Sequence, residues 1–251
     1  MLLIGGGADD LIFLIHKHDL RSIAILDLLR RQLRVRHQND LITDADTARC
    51  SAVQADHAAA ALTGNGIGLK AVAVLNIHDG NLLVFVNAGR IQQIGTPQEV
   101  FDQPANLFVA GFIGSPQMNF FDGELEKKDG KYQLKVGEAT VVLGGKAQEL
   151  LAGKGVGERK VTVGIRPEHI AFAAAPGTDT VSSKVDVSEM MGSEVYLHVN
   201  AVGRDVVLRI PTTDLPAEHR AGIPYGTEIN FAFRPDLIHL FDPETEKNLM
   251  Y

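Results

Sequence analysis

The stretch Gly64-Asn65-Gly66-Ile67-Gly68-Leu69-Lys70 comes nearest in this chain to a set of residues able to do chemistry, because glycines followed by a lysine can close backbone amides around a phosphate. A phosphate-cradling loop requires G-x-x-x-x-G-K-[ST], with the lysine on the β/γ-phosphates and the hydroxyl on magnesium. Here the Gly-Lys-Ser/Thr ending is missing and the spacing fails G-x-G-x-x-G as well, so the stretch reads as a flexible turn. Gly5, Gly6 and Gly7 have no such lysine after them. His169, His198, His219 and His239 are dispersed, with no i, i+4 pair and no His/Glu spacing suited to zinc, and they read as surface or locally hydrogen-bonded histidines. Ser188 and Ser193 lack the His-and-acid pattern that marks a nucleophile. Glu168, after Arg166 and Pro167, is placed for a local ion pair, and Arg234-Pro235-Asp236 repeats the Arg-Pro-acidic pattern. The plain reading is two turns after strands with solvated charges; the sharper one is two equivalent corners of related barrel lobes. No residue is assigned a catalytic, cofactor-binding or metal-binding role.

The composition bounds the rest. A chain of 251 residues with 45% hydrophobic content is long enough for one large or two ordinary domains with a packed core. No apolar run approaches the length that spans a bilayer, and Asp9 and Asp10 stand where a signal peptide needs positive charge, so a cytosolic chain is expected. The single cysteine, Cys50, excludes an intrachain disulfide and a cysteine-based metal site, and reads as a structural thiol. A net charge of −7 argues against a nucleic-acid footprint, which needs clustered Lys and Arg.

The elements that would position any site are clearest between Leu82 and Phe121. Leu82–Val86 and Ile91–Ile94 are apolar runs joined by a tight turn containing Asn87 and Gly89, which predicts a hairpin. Thr96, Pro97 and Glu99 form a capping-box pattern that starts a helix carrying Val100 and Phe101 and stopping at Pro104. Asn106 opens a second short helix with Leu107, Phe108, Val109, Phe112 and Ile113, broken by Gly114, Ser115 and Pro116. Upstream, residues 1–82 contain neither Glu nor Pro, unlike the remainder. Leu20, Ile23, Leu26, Leu29 and Leu33 predict a helix over Asp19–His37, its C-terminal end carrying Arg30, Arg31, Arg34 and Arg36, and Ala58–Leu62 favours helix.

Beyond Phe121 the chain reads as short strands. Asn119–Glu126, Lys131–Val136 and Ala139–Leu143 are separated by turns at Lys128-Asp129-Gly130 and Gly137-Glu138, Lys146–Leu151 is a helical excursion, and Val161–Ile165 resumes the sheet. Val185/Val187, Val195/Leu197/Val199, Val206/Leu208/Ile210 and Ile229/Phe231/Phe233 alternate at period two, so each strand buries one face. Strands of this length with polar turns fit a small, closed or partly closed β-barrel of the OB type.

GRIQQIGTPQEVFDQPANLFVAGFIGSPQMNFF (Gly89–Phe121), VGIRPEHI (Val163–Ile170), GSEVYLHV (Gly192–Val199) and FRPDLIHLFDPETEKNL (Phe233–Leu249), in this order, resemble the C-terminal part of the ATP-binding subunits of bacterial sugar ABC importers, of the maltose and glycerol-phosphate group. The resemblance runs over about residues 83–251. It implies that 83–118 is the end of a nucleotide-binding domain with linker helices and that 119–251 is a mainly β regulatory domain of OB-like (OB/TOBE) barrel lobes, leaving 1–82 as an unmatched segment of helical or mixed structure. The family's signature sequence, its strand ending in Asp-Glu and its switch histidine are not found: the histidine's position falls on Ala71, and His78-Asp79 lies too close to the hairpin. ATP and magnesium are thus implied by the family but by no residue of this chain, which is expected to be inactive as an ATPase by itself. The resemblance further implies a weak homodimer through the regulatory domain, permease subunits and regulatory proteins as partners, no nucleic acid, and a cytoplasmic site peripheral to the membrane. The alternative is a free-standing OB-type module for a small anion or a single nucleic-acid strand, which would want exposed aromatics among Arg and Lys; aromatics are 6% with no Trp.

Overall fold

The computed structural model of the chain describes residues 10–14, 70–77, 80–87 and 90–251. The predicted helix over 19–37, the Ala58–Leu62 stretch, Cys50, His78-Asp79 and the glycines of residues 5–7 and 64–68 lie outside the described residues. The chain divides into two compact units, Met1–Ala105 and Asn106–Tyr251.

In the first unit β1 (Asp10–Leu14), β2 (Lys70–Ile77), β3 (Gly80–Asn87) and β4 (Arg90–Gly95) lie side by side in that order, β1 parallel to β2 and the others antiparallel. The hairpin read from the sequence is β3–β4, closed by the Asn87–Arg90 pair. Strand β2 adds to what the sequence predicts: its Ala/Val alternation carries little of the turn punctuation that makes β3 and β4 readable. Helix α1 (Pro97–Asp102) starts on a complete capping box. Thr96 Oγ1 accepts from the Glu99 amide at 3.2 Å while Glu99 Oε2 accepts from the Thr96 amide at 2.8 Å, so two of the first-turn donors find partners. Val100 seals this helix into a core with Val84, Phe85 and Val86. The buried Gln93 amide ties down the chain beyond the helix, donating to Gln103 O at 2.9 Å and accepting from the Ala105 amide at 2.8 Å.

The second unit opens with α2 (Leu107–Phe112), whose N-cap Asn106 accepts from the Val109 amide at 3.0 Å. Two antiparallel five-stranded sheets come next. The first has the order β14-β8-β5-β6-β7 and the second β12-β11-β10-β13-β9. Their strands are β5 (Asn119–Lys128), β6 (Lys131–Val136), β7 (Ala139–Val142), β8 (Arg159–Ile165), β9 (Ile170–Ala173), β10 (Thr180–Met190), β11 (Glu194–Ala201), β12 (Arg204–Pro211), β13 (Glu228–Phe233) and β14 (His239–Phe241). Helix α3 (Gly145–Gly153) is the predicted excursion, longer by a residue or two at each end. The unit is mainly β and its lobes are OB-like, as the alternation of apolar residues predicts. Val195, Leu197 and Val199 of β11 and Val206, Leu208 and Ile210 of β12 all point inward and are buried, and both sheets feed one continuous core in which Phe121 meets Phe233 at 5.2 Å between ring centres. Full burial of each such side chain contributes on the order of 2 kcal/mol.

Turn chemistry sets the registers. Asp129 (φ 52°) and Gly130 (φ 78°) both adopt the left-handed conformation that a two-residue hairpin turn demands between paired Lys128 and Lys131. The β11–β12 hairpin uses Val202 (φ 54°) and Gly203 (φ 72°), and a β-branched residue in that region is strained.

The two sheets are joined by two strands that turn a corner. β8 leaves the first sheet through a 3-10 turn at Pro167–His169 and becomes β9 of the second; β13 leaves the second through a 3-10 turn at Pro235–Leu237 and becomes β14 of the first. Gly164 pairs with His239 and Ile170 with Phe233, with six positions separating the paired residues on each strand, so the register continues around both corners.

Candidate functional site

The paired corners carry the strands from one sheet to the other and are built on one repeated sequence pattern. Each is built the same way from Arg-Pro-acidic: the arginine caps the turn in extended backbone, the proline takes the first turn position with its preset φ, and the residue three after the arginine donates its amide back to the arginine carbonyl, at 2.9 Å for His169 and 3.0 Å for Leu237. The sharper sequence reading, two equivalent corners, therefore describes the structure.

The reading of solvated charges holds at the second corner and fails at the first. Arg234 and Asp236 are exposed, whereas Arg166 is 1% exposed and is the largest fully buried side chain among the described residues. Its Nη1 donates to the carbonyl of Ile113 at 2.8 Å, at the C-terminal end of α2, where carbonyls have no partner inside the helix and favour a cation. A buried guanidinium is tolerable only when so engaged. At the second corner the acid meets the opposite end of a helix: Asp236 packs against Gly144, the N-cap of α3, whose amide donates to Pro235 O at 3.2 Å. A Cβ on Gly144 would come within 1.8 Å of Asp236 Oδ1, so a larger residue would displace the carboxylate. One motif thus meets a helix at its carbonyl end through the arginine side chain, and the other meets a helix at its amide end through the Pro235 carbonyl.

A seam of polar contacts runs between β5 and β12. Asn119, buried at the start of β5, exchanges two hydrogen bonds with the Val207 backbone, and Arg204 pairs with Asp122 at 2.7 Å. On the outer face of the second sheet Arg209 Nε donates to Glu194 Oε2 at 2.8 Å, and that bond, opposed by partial burial and aided by the charges of Glu194 and Glu168, holds the guanidinium further above its ordinary range. Asp242 closes the last turn. Its Oδ1 accepts from the Glu244 and Thr245 amides at 3.0 and 2.7 Å, and its Oδ2 pairs with Arg159. Chiefly the Thr245 amide lowers its carboxyl below the ordinary value. That turn presents Glu246 O to the Leu107 amide at 3.0 Å, so the end of the chain grips the start of α2.

The histidines stay dispersed: His198 lies 3.7 Å from Glu189, His219 meets the Phe172 ring edge-on, and His239 is buried beside Phe241 rather than at the surface. Ser188 Oγ accepts the Ile223 amide at 3.0 Å, a structural bond. Among the described residues no group of His, Cys, Asp and Glu could hold a metal ion, and no helix is long and apolar enough to cross a membrane. What the arrangement can do is fix helices and lobes to one another and present a surface. Three of its residues escape the sequence reading, although each leaves a sign: Asn119 occupies an inward position in an apolar alternation, Arg166 comes directly after the buried run Val163–Ile165, and Asp242-Pro243-Glu244-Thr245 has the form of an Asp-initiated turn.

Residues 114–170 match the MalK OB fold domain and residues 163–241 match the TOBE domain. The C-terminal part of this chain belongs to the OB/TOBE domains of sugar ABC importer ATP-binding subunits. The two matches share residues 163–170, which contain the first corner. Similar proteins include the sn-glycerol-3-phosphate import ATP-binding protein UgpC of Chromobacterium violaceum (36% identical, 66% of this chain and 41% of that protein). The oligosaccharides import ATP-binding protein MsmX of Bacillus subtilis is 37% identical over 65% of this chain and 43% of its own length. The multiple sugar-binding transport ATP-binding protein MsmK of Streptococcus mutans is 38% identical over 63% and 40%. The chain thus spans less than half the length of these relatives. Among solved structures, the cytoplasmic molybdate-binding protein ModG with molybdate bound overlaps 50% of this chain and 96% of its own at 12% identity and a TM-score of 0.38, too loosely to carry anything about ligands.

Proposed function

We propose that this chain, through residues 106–251, supplies the regulatory and assembly domain of the ATP-binding subunit of a bacterial carbohydrate or glycerol-phosphate importer. The observation that supports this most is the overlap of the MalK OB fold and TOBE matches across a corner strand that belongs to both sheets of one β unit. In this reading the domain works in the cytoplasm at the inner face of the membrane, in a complex with permease subunits and regulatory proteins. It meets its twin across a two-fold axis in a weak, concentration-dependent dimer, since a stable contact must bury on the order of 1,000 Å². ATP and magnesium belong to a complete subunit's nucleotide-binding domain, because Gly64–Lys70 lacks the ending a phosphate loop requires and no switch histidine stands before the hairpin.

The deciding experiment grafts residues 106–251 in place of the corresponding domain of the Bacillus subtilis oligosaccharide ATP-binding protein and measures import. Retained uptake supports the reading; a folded, ATP-hydrolysing chimera that transports nothing overturns it. Calorimetry with Mg·ATP on the chain itself should give no binding heat.

A further inference from the structure

The methionines of the second unit differ sharply in their surroundings. Met118 is 4% exposed, packed with Ala110 and Phe241, and Met250 is half-buried against the main core. Met190 and Met191 are adjacent, 44% and 58% exposed, at the end of β10, where Val187 and Tyr225 add further exposed apolar surface. They also stand beside a loop that strand β10 itself holds in place. The Ile223 amide donates to Ser188 Oγ at 3.0 Å, the Gly226 amide to Val185 O at 2.7 Å, and Val185 donates back to Thr227 O at 3.0 Å. Gly222 begins that loop in a glycine-type conformation (φ 117°), and a Cβ there would sit 3.9 Å from Met190 Cγ and 3.5 Å from Ser188 Oγ, so the Met190 side chain lies against the point where the loop docks.

We propose that Met190 and Met191 are a peroxide modification site whose oxidation releases the 222–227 loop. The reactant is a hydroperoxide. A sulfur lone pair attacks the peroxide oxygen, the S–O bond forms as the O–O bond breaks, and the departing hydroxide or alkoxide takes the proton from the transferred oxygen to leave as water or alcohol; sulfur loses two electrons and the peroxide gains them. The product sulfoxide is polar and chiral where the thioether was apolar and flexible, so it disturbs the apolar surface beside Gly222, and its oxygen competes with Ser188 Oγ as acceptor for the Ile223 amide. A reductase for methionine sulfoxide restores the starting state. The proposal extends beyond the transporter reading and does not depend on it.

The test treats the full chain with hydrogen peroxide and tracks each methionine by peptide mass spectrometry, with hydrogen exchange on the same samples. Met190 and Met191 should gain oxygen before Met118, exchange at the Ile223 and Gly226 amides should rise several-fold, and methionine sulfoxide reductase should reverse both. A Met190→Leu, Met191→Leu protein given the same peroxide should show no rise in exchange. Oxidation of Met118 as fast as the pair, or an oxidised pair with unchanged loop exchange, or an equal rise in the leucine protein, would each overturn the proposal.

Discussion

Asn119 and Val207 complete each other across the seam between the two sheets: the Asn119 amide nitrogen donates to the Val207 carbonyl at 2.8 Å, and its oxygen accepts from the Val207 amide at 2.9 Å. The side chain acts as one more residue of ladder beside edge strand β12. Asn119→Ala leaves the partly buried Val207 amide and carbonyl without these partners, and a loss of roughly 1–3 kcal/mol is expected, since water can reach part of the edge. Urea denaturation reads this directly, and a variant within a few tenths of the parent would show that the seam tolerates water.

Gly144 and Asp236 give a second prediction. Gly144→Ala places a methyl group 1.8 Å from Asp236 Oδ1 and 3.0 Å from the Asp236 Cα, so the carboxylate must swing away and the backbone contact tightens. A loss of about 2–3 kcal/mol is expected, in line with overpacking of a filled site. Combining it with Asp236→Gly should cost clearly less than the two single losses added together, because the second change removes the obstructing carboxylate. Simple additivity in thermal melts would mean that the two residues do not touch.

Thr96 should govern the first helix. Thr96→Ala removes the acceptor for the Glu99 amide and should cost about 1 kcal/mol, with Thr96→Ser close to neutral. The Thr96 amide and hydroxyl are also what hold the Glu99 carboxyl below its ordinary value. NMR titration of Glu99 should therefore show its pKa staying low in Thr96→Ser, whose amide and hydroxyl remain, and rising in Thr96→Ala, which loses the hydroxyl donor.

Asp242 predicts a pH dependence with a definite sign. Its carboxyl is lowered in the folded protein, first by the Thr245 amide, so the unfolded chain takes up the proton more readily. The stability it contributes is fully present above the unfolded carboxylate range and is lost as pH falls through and below it. Asp242→Asn should flatten that acid limb while leaving the neutral-to-alkaline side parallel to the parent, as measured by denaturation from neutral pH to about pH 3. An unchanged acid limb would show that other carboxylates dominate.

Period-two alternation makes β11, β12 and β13 legible, and punctuation makes the hairpins and α1 legible, because those signals are local: Thr96, Pro97 and Glu99 need only each other. The burial of Arg166 is not legible. Both Arg-Pro-acidic triplets look alike along the chain, and what separates them is which helix end arrives from elsewhere, α2 at Arg166 and α3 at Asp236. Asn119 is obscured for the same reason, since its partner is 88 positions away. Which helix end each corner meets is fixed by residues far away along the chain and cannot be read from the triplets themselves.

The corner strands carry a consequence for how the domain comes off the ribosome. β14 pairs with β8 in the first sheet only after every strand of the second sheet has been made. The lobe that begins first along the chain is therefore among the last to be finished, waiting with an open edge at β8 until His239–Phe241 emerge, and such long-range pairing folds slowly and leaves strand edges exposed meanwhile. A nascent chain arrested shortly before residue 239 should consequently attract chaperones that the completed chain does not, even though most of its second lobe has already been synthesised.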